Sequence, residues 1–72
     1  MTIYTTGCPK CRVLEKKLEQ LGETYETVND VQKVVEVGRR EGILSAPILE
    51  RDGKFYDFTH AVSLVNELAR GN

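Results

Sequence analysis

Apolar positions recur along this chain in two rhythms, and most changes of rhythm are marked by glycine or proline. Residues 3–5, Ile3, Tyr4 and Thr5, are apolar and β-prone and predict a buried strand, with Thr2 as its earliest start. Gly7 interrupts it. From Pro9 the spacing turns helical, with Val13, Leu14, Leu18 and Leu21 on one face and Glu15, Lys16, Lys17, Glu19 and Gln20 mostly on the other. Proline suits a first helical position, because its φ is pre-set and the N–H it lacks would have no helical partner there. Gly22 predicts a left-handed C-cap.

Residues 24–28 alternate and are rich in β-formers, which predicts a second strand. Strand, helix and strand joined by short turns form a βαβ unit, so the two strands run parallel through a right-handed crossover. Asn29 or Asp30 can cap a second helix whose inner face is expected to carry Val31, Val34, Val35 and Gly38, with Gly42 closing it. Residues 43–46 lead into Pro47, and residues 48–50 predict a third strand. Asp52-Gly53 centres a hairpin turn, Phe55 and Tyr56 follow as a fourth strand, and a last helix is expected from about Thr59 to Arg70. Its inward positions are Ala61, Leu64, Val65 and Leu68, and Gly71 terminates it. The order βαβαββα predicts an α/β domain with a mixed sheet, a parallel pair joined to an antiparallel hairpin, and helices on both faces.

At 72 residues the chain reads as a single domain, residues 1–72, without a repeat, a low-complexity tract or a linker. A domain this small buries only about 60% of its unfolded surface, so its core must be dense in aliphatic side chains. A hydrophobic share of 40% allows that. The net charge of −1 offers no broad field for nucleic acid or anionic lipid. No apolar stretch approaches the roughly 20 residues that span a bilayer. Met1-Thr2-Ile3-Tyr4 is not a basic segment leading into a long apolar run, so no signal peptide is expected. A cytoplasmic monomer is the default expectation.

The two cysteines share one tetrapeptide, Cys8-Pro9-Lys10-Cys11. As a staple the pair is poorly placed. Closing a loop of about four residues constrains the unfolded chain by roughly 2 kcal/mol, against nearly 5 for a loop of about 100, and a purely structural disulfide is unusual in a reducing compartment. As reversible redox chemistry the placement makes sense. If Pro9 opens the helix, Cys8 is its N-cap, where the sulfur can accept hydrogen bonds from the N–H groups of Lys10 and Cys11. A thiolate accepts them better than a thiol. The helix end adds roughly 0.3–1 kcal/mol, up to about 2 when partly buried, enough to lower a thiol by about one unit from about 8.5. Pro9 and Lys10 are therefore tuning candidates. Cys8 becomes the attacking thiol, and Cys11, one turn on and pointing back toward it, the resolving one.

Tyr4-Thr5-Thr6-Gly7-Cys8-Pro9-Lys10-Cys11, the βαβαββα order and Ser45-Ala46-Pro47 together resemble a small glutaredoxin of the thioredoxin fold. The resemblance implies a sheet order of 2-1-3-4 and a cis peptide between Ala46 and Pro47, lying beside Cys8. It also implies a substrate-binding surface at Ala46, Pro47, Thr6, Phe58 and Thr59. The activity it implies is reduction of protein or small-molecule disulfides by a dithiol mechanism, with no bound cofactor. Two departures concern the electron donor. Glutathione-using glutaredoxins commonly carry a lysine or arginine shortly before the first cysteine, where this chain has Thr5 and Thr6. They also open the last helix with Gly-Gly and a Ser/Asp-Asp element, where this chain has Asp57-Phe58-Thr59-His60-Ala61. Phe58 and Ala46-Pro47 look somewhat more like NrdH-type redoxins, which accept electrons from thioredoxin reductase. Glutathione and thioredoxin reductase both stand as donors.

The competing class is a glutaredoxin-like module holding a metal or a 2Fe–2S cluster between subunits. Two thiolates supply half of a tetrahedral zinc site, and His60 is a third ligand only if the last helix begins near Cys8. His60 is otherwise an exposed first-turn residue. Tyr4 and Tyr25 are assigned to strand packing and Arg39-Arg40-Glu41 to a solvated helix face. Lys10 reads as a surface residue or a tuner of the thiolate, and Phe58 as a partner contact or packing under the last helix.

Overall fold

Neighbouring residues on a strand point to opposite faces, and the two central strands use this to build two cores at once. The computed structural model of the protein describes residues 1–71. Its elements are β1 (Thr2–Tyr4), α1 (Pro9–Leu21), β2 (Glu26–Val28), α2 (Val31–Glu41), β3 (Ile48–Arg51), β4 (Lys54–Tyr56) and α3 (Phe58–Arg70). The sheet runs β2-β1-β3-β4, with β1 parallel to β2 and antiparallel to β3, and β3 antiparallel to β4. A four-stranded mixed sheet in this order with three helices is compatible with a thioredoxin-like fold.

Ile3 is paired with Leu49, and both pack with Leu14 and Leu18 of α1 and Ala61 and Val65 of α3. Tyr4 is paired with Ile48, and this side of the sheet packs with Val34 and Val37 of α2. Helices thus cover both faces. Ile3, Leu14, Leu18 and Leu49 are fully buried, each contributing on the order of 1.5–3 kcal/mol from area removed from water. Tyr4 also meets the Phe55 ring at 6.4 Å between centroids, and Tyr25 packs against the α1–α3 core, so both tyrosines are packing residues.

Several helix faces are turned from the expected setting. On α1 the buried residues are Cys11, Leu14 and Leu18, and Val13 is 47% exposed. Including Cys11 moves the centre of the inward stripe, and Val13 then lies about a third of a turn outside it. On α2 the buried set is Val34, Val37 and Gly38, while Val31 and Val35 are exposed. The helix turns toward Val37 because Gly38 must meet the chain returning from its own C-terminus. The Ile43 N–H donates to the Gly38 carbonyl at 2.8 Å, and Gly42 turns left-handed at φ 72 to bring it there. On α3, Ala61 and Val65 are buried and Leu64 and Leu68 only partly so.

The ends differ as well. β2 begins at Glu26 rather than residue 24, and α3 begins at Phe58 rather than Thr59, because Asp57 supplies the cap. Asp30, not Asn29, caps α2 through its bond from the Gln32 N–H at 3.0 Å. Gly22 has the expected left-handed φ of 79, whereas Gly71 ends α3 at φ −75. The Asp52-Gly53 turn has φ 52 and 80, the positive pair that a tight hairpin requires. No described helix is long and apolar enough to cross a membrane.

Gly38 yields a stability prediction. A Cβ there would stand 2.5 Å from the Ile43 carbonyl oxygen, a backbone atom that cannot swing aside. Alanine improves helix propensity by up to about 1 kcal/mol, but overpacking against backbone costs about 1–3 kcal/mol. Gly38→Ala is expected to be a net loss, read as a lower urea midpoint. An unchanged or raised midpoint would contradict the close approach.

Candidate dithiol site

The approach to the cysteines is shaped by a short turn. The Thr5 N–H donates to the Val28 carbonyl at 2.9 Å, prolonging the β1–β2 pairing by one residue. The Thr5 side chain is buried, and its Oγ1 accepts from the Gly7 N–H at 3.1 Å. Gly7 takes φ 77, a conformation that costs a side-chain-bearing residue roughly 1–2 kcal/mol. Thr5 is thus a structural residue of the site that sequence reasoning placed only in the strand. A threonine two residues before a glycine is the signal that could have marked the turn.

Cys8 then stands as the N-cap of α1, with extended backbone at φ −73 and ψ 164, and Pro9 at the first helical position. Its carbonyl accepts the first helical bond, from the Arg12 N–H at 3.1 Å. Its Sγ accepts from the Cys11 N–H at 3.2 Å. The Lys10 N–H, an expected second donor, makes no hydrogen bond to this sulfur in the structure. One donor satisfies the capping role, since a cap at this position reaches the second or third helical residue.

Cys8 and Cys11 form a disulfide, with their Cα atoms 5.0 Å apart. The two sulfurs differ in access. Cys8 is partly exposed, whereas Cys11 is fully buried in line with Leu14 and Leu18. The Cys8 Sγ lies 3.7 Å from the Ala46 carbonyl oxygen, and the peptide between Ala46 and Pro47 is cis. Pro47 is buried beneath. Residues 38 positions apart in sequence are in this way brought to one point.

The remaining candidates surround this point unevenly. Lys10 is exposed, with its Nζ 5.5 Å from the centre of the Phe58 ring, a cation–π contact joining the starts of α1 and α3. Phe58 is partly buried against the α1–α3 core, so it packs under the last helix and also presents a face to Lys10. Thr6 is exposed and shares a cavity wall with Ala46. Thr59 is exposed in the first turn of α3, and no side-chain hydrogen bond ties it to the dithiol among the described residues.

The N-terminus of α3 carries its own anion. Asp57 Oδ1 accepts from the His60 N–H at 2.9 Å and meets His60 Nδ1 at 2.7 Å. The backbone bond from His60, then the side-chain bond, hold the Asp57 carboxyl below its ordinary value. His60 is exposed and engaged with Asp57. Among the described residues no three His, Cys, Asp or Glu side chains stand close enough together to hold a metal ion.

No family model, no curated protein and no solved structure matches the chain.

The Asp57 cap predicts a pH dependence with a definite sign. A carboxyl whose folded pKa is depressed contributes stability fully above its unfolded value of about 3.8. That contribution is lost as pH falls through the lower folded value. Asp57→Asn keeps a capping oxygen but does not titrate. The stability gap between wild type and this variant should shrink between about pH 5 and about pH 2 in urea melts. A gap independent of pH would refute the assignment.

Proposed function

We propose that the protein is a dithiol–disulfide oxidoreductase. Within that class, we read it as a glutaredoxin-like enzyme of the thioredoxin superfamily. The observation that carries the reading is the unequal access of two bonded sulfurs at one helix start: Cys8 is partly exposed and held by a backbone N–H, and Cys11 is buried behind it. Only the accessible sulfur can meet an external disulfide, and only the buried one is kept for the internal step.

In the reduced protein the Cys8 thiolate attacks one sulfur of a substrate disulfide. The substrate S–S bond breaks, one substrate thiolate leaves and takes a proton, and a mixed disulfide with Cys8 remains. Cys11, deprotonated, attacks the Cys8 sulfur, releasing the second substrate thiol and closing the Cys8–Cys11 disulfide. Two electrons pass to the substrate. A donor returns them, and the dithiol is restored. The Cys11 N–H and the helix N-terminus favour the thiolate form of Cys8. Lys10, over the Phe58 ring, places a cation on the same side of the site. Ala46 and Pro47 offer backbone beside Cys8 against which the extended chain of a substrate would lie.

Cys11→Ser should trap a mixed disulfide through Cys8, seen by mass spectrometry as one substrate equivalent that dithiothreitol releases. Full multiple-turnover reduction by this variant would eliminate the resolving role. Cys8→Ser should reduce activity to the uncatalysed background.

For the electron donor, Asp57 supports thioredoxin reductase over glutathione. Its carboxylate already occupies the α3 N-terminus, where a glutathione carboxylate would otherwise find free N–H groups and a favourable dipole. A coupled assay should therefore turn over faster with thioredoxin reductase than with glutathione and glutathione reductase. Asp57→Ser keeps a cap and removes the charge. It should raise kcat/KM for the glutathione-coupled reaction by roughly two- to fivefold. No gain would show that Asp57 does not set donor choice.

A further inference from the structure

Beside the dithiol, an apolar concavity opens between α2 and the 43–46 loop, with a volume of about 350 Å³. That is at the lower end for a small-ligand pocket and suits a single side chain with its flanking backbone. Val35, Ile43, Leu44 and Ala46 are among its walls. Leu44 is 100% exposed and Val35 46% exposed, although both are aliphatic. Neither supports a core. A wholly exposed leucine on a loop two residues from Ala46 is available to whatever approaches Cys8.

The cavity is also charged on one side only. Arg39 is its single charged lining residue, and among the described residues it has no ion-pair partner. Its neighbour Arg40 is committed elsewhere, to Glu41 at 2.9 Å and to the Phe55 ring at 5.1 Å. An apolar hollow with an unpaired guanidinium at its edge complements an apolar side chain followed by a carboxylate. Thr6 and Ala46 connect it to the dithiol, since Ala46 is both a wall of the cavity and the residue whose carbonyl lies 3.7 Å from the Cys8 sulfur.

We infer that this cavity is a specificity pocket for the disulfide substrate. Its occupant is an extended cysteine-bearing peptide segment with an aliphatic residue, and next to it an acidic one, within a few positions of the reactive cysteine. The inference rests on the dithiol reading and deepens it. Val35 and Leu44 grip the aliphatic side chain, and Arg39 pairs with the carboxylate. Glutathione has no aliphatic side chain to offer, so the pocket discriminates against it by what it lacks.

The test uses symmetric peptide disulfides, with Leu-Glu placed either before or after the cysteine, against the same peptides carrying Ala-Glu or Leu-Gln. Single-turnover rates with the reduced protein are read by acid quench and chromatography. The Leu-Glu peptide of one orientation should react roughly tenfold faster than its Ala-Glu counterpart. In Val35→Ser/Leu44→Ser that ratio should fall to near one, and in Arg39→Gln the preference for Glu over Gln should vanish. Equal rates for all peptides with the wild-type protein would overturn the pocket while leaving the dithiol reading intact.

If the protein reduces no disulfide, the dithiol reading fails, and binding decides the pocket separately. Adding the reduced Leu-Glu peptide to Cys8→Ser should shift the amide resonances of Val35, Arg39 and Leu44. No shift there would overturn the pocket. Shifts at these residues on raising protein concentration without peptide would assign the face to a second copy of the chain, and would overturn it too.

Discussion

The antiparallel register of β1 against β3 is the constraint from which the site follows. Ile3 faces Leu49 and Tyr4 faces Ile48, so the chain leaving β1 runs alongside the chain entering β3. Continued past the strand ends, that register carries the segment holding Cys8 toward Ala46 and Pro47. The same two pairs seed the two cores, one on each face of the sheet. A slip of one residue would exchange every inward side chain between the faces. It would also move Ala46 away from the cysteine. Fold and site are therefore not separable choices in this chain: one hydrophobic pairing specifies both.

The difference between the two sulfurs has a similarly local origin. Helix geometry places the cap residue outside the cylinder and the residue three positions later on its surface. α1 is turned so that this surface, continued by Leu14 and Leu18, faces the core. Cys11 is inside because it belongs to the helix stripe, and Cys8 is partly outside because it precedes the helix. Pro9 between them keeps the boundary where it is, since it suits a first helical position and is poorly tolerated deeper in a helix. On the proposed reading, the order of the two chemical steps is written into this offset.

Much of this was legible in the sequence, and the failures share a cause. Element order, the Asp-Gly hairpin and the N-capping role of Cys8 depend on local chemistry and period, which the residues state directly, whereas the strand order 2-1-3-4 is legible only through the resemblance to glutaredoxins. The helix faces depend on what a helix meets. Nothing local says that Gly38 will lie against the Ile43 backbone, yet that approach turns α2 toward Val37 and leaves Val31 and Val35 exposed. Counting Val13 as core likewise undervalued Cys11 as an apolar side chain, although cysteine is among the most buried residue types. The apolar spacing alone sets the start of α3 at about Thr59, one residue later than the structure does. Asp57, three residues ahead of His60, was the stronger signal.

What lies on either side of the dithiol bears on its partners. At the α3 end, Asp57 fills with its own carboxylate the position that would hold an anion. At the α2 end, Arg39 has no ion-pair partner among the described residues and stands beside an apolar hollow. With Asp57 engaged by His60 and Lys10 over Phe58 at the α3 end, and Arg39 at the α2 end, the two flanks differ in a way that a symmetric small disulfide does not use. An extended peptide is different, because its side chains alternate and its ends are distinct, so it can satisfy both flanks in one orientation only. Burying an aliphatic group against Leu44 would add affinity that depends on neither charge, and it would persist at salt concentrations that screen exposed ions beyond about 8–10 Å. On the proposed reading, a dithiol protein built this way would select by shape at the cavity and by orientation across the dithiol. Cys8 then has only to supply the reactivity common to every substrate it meets.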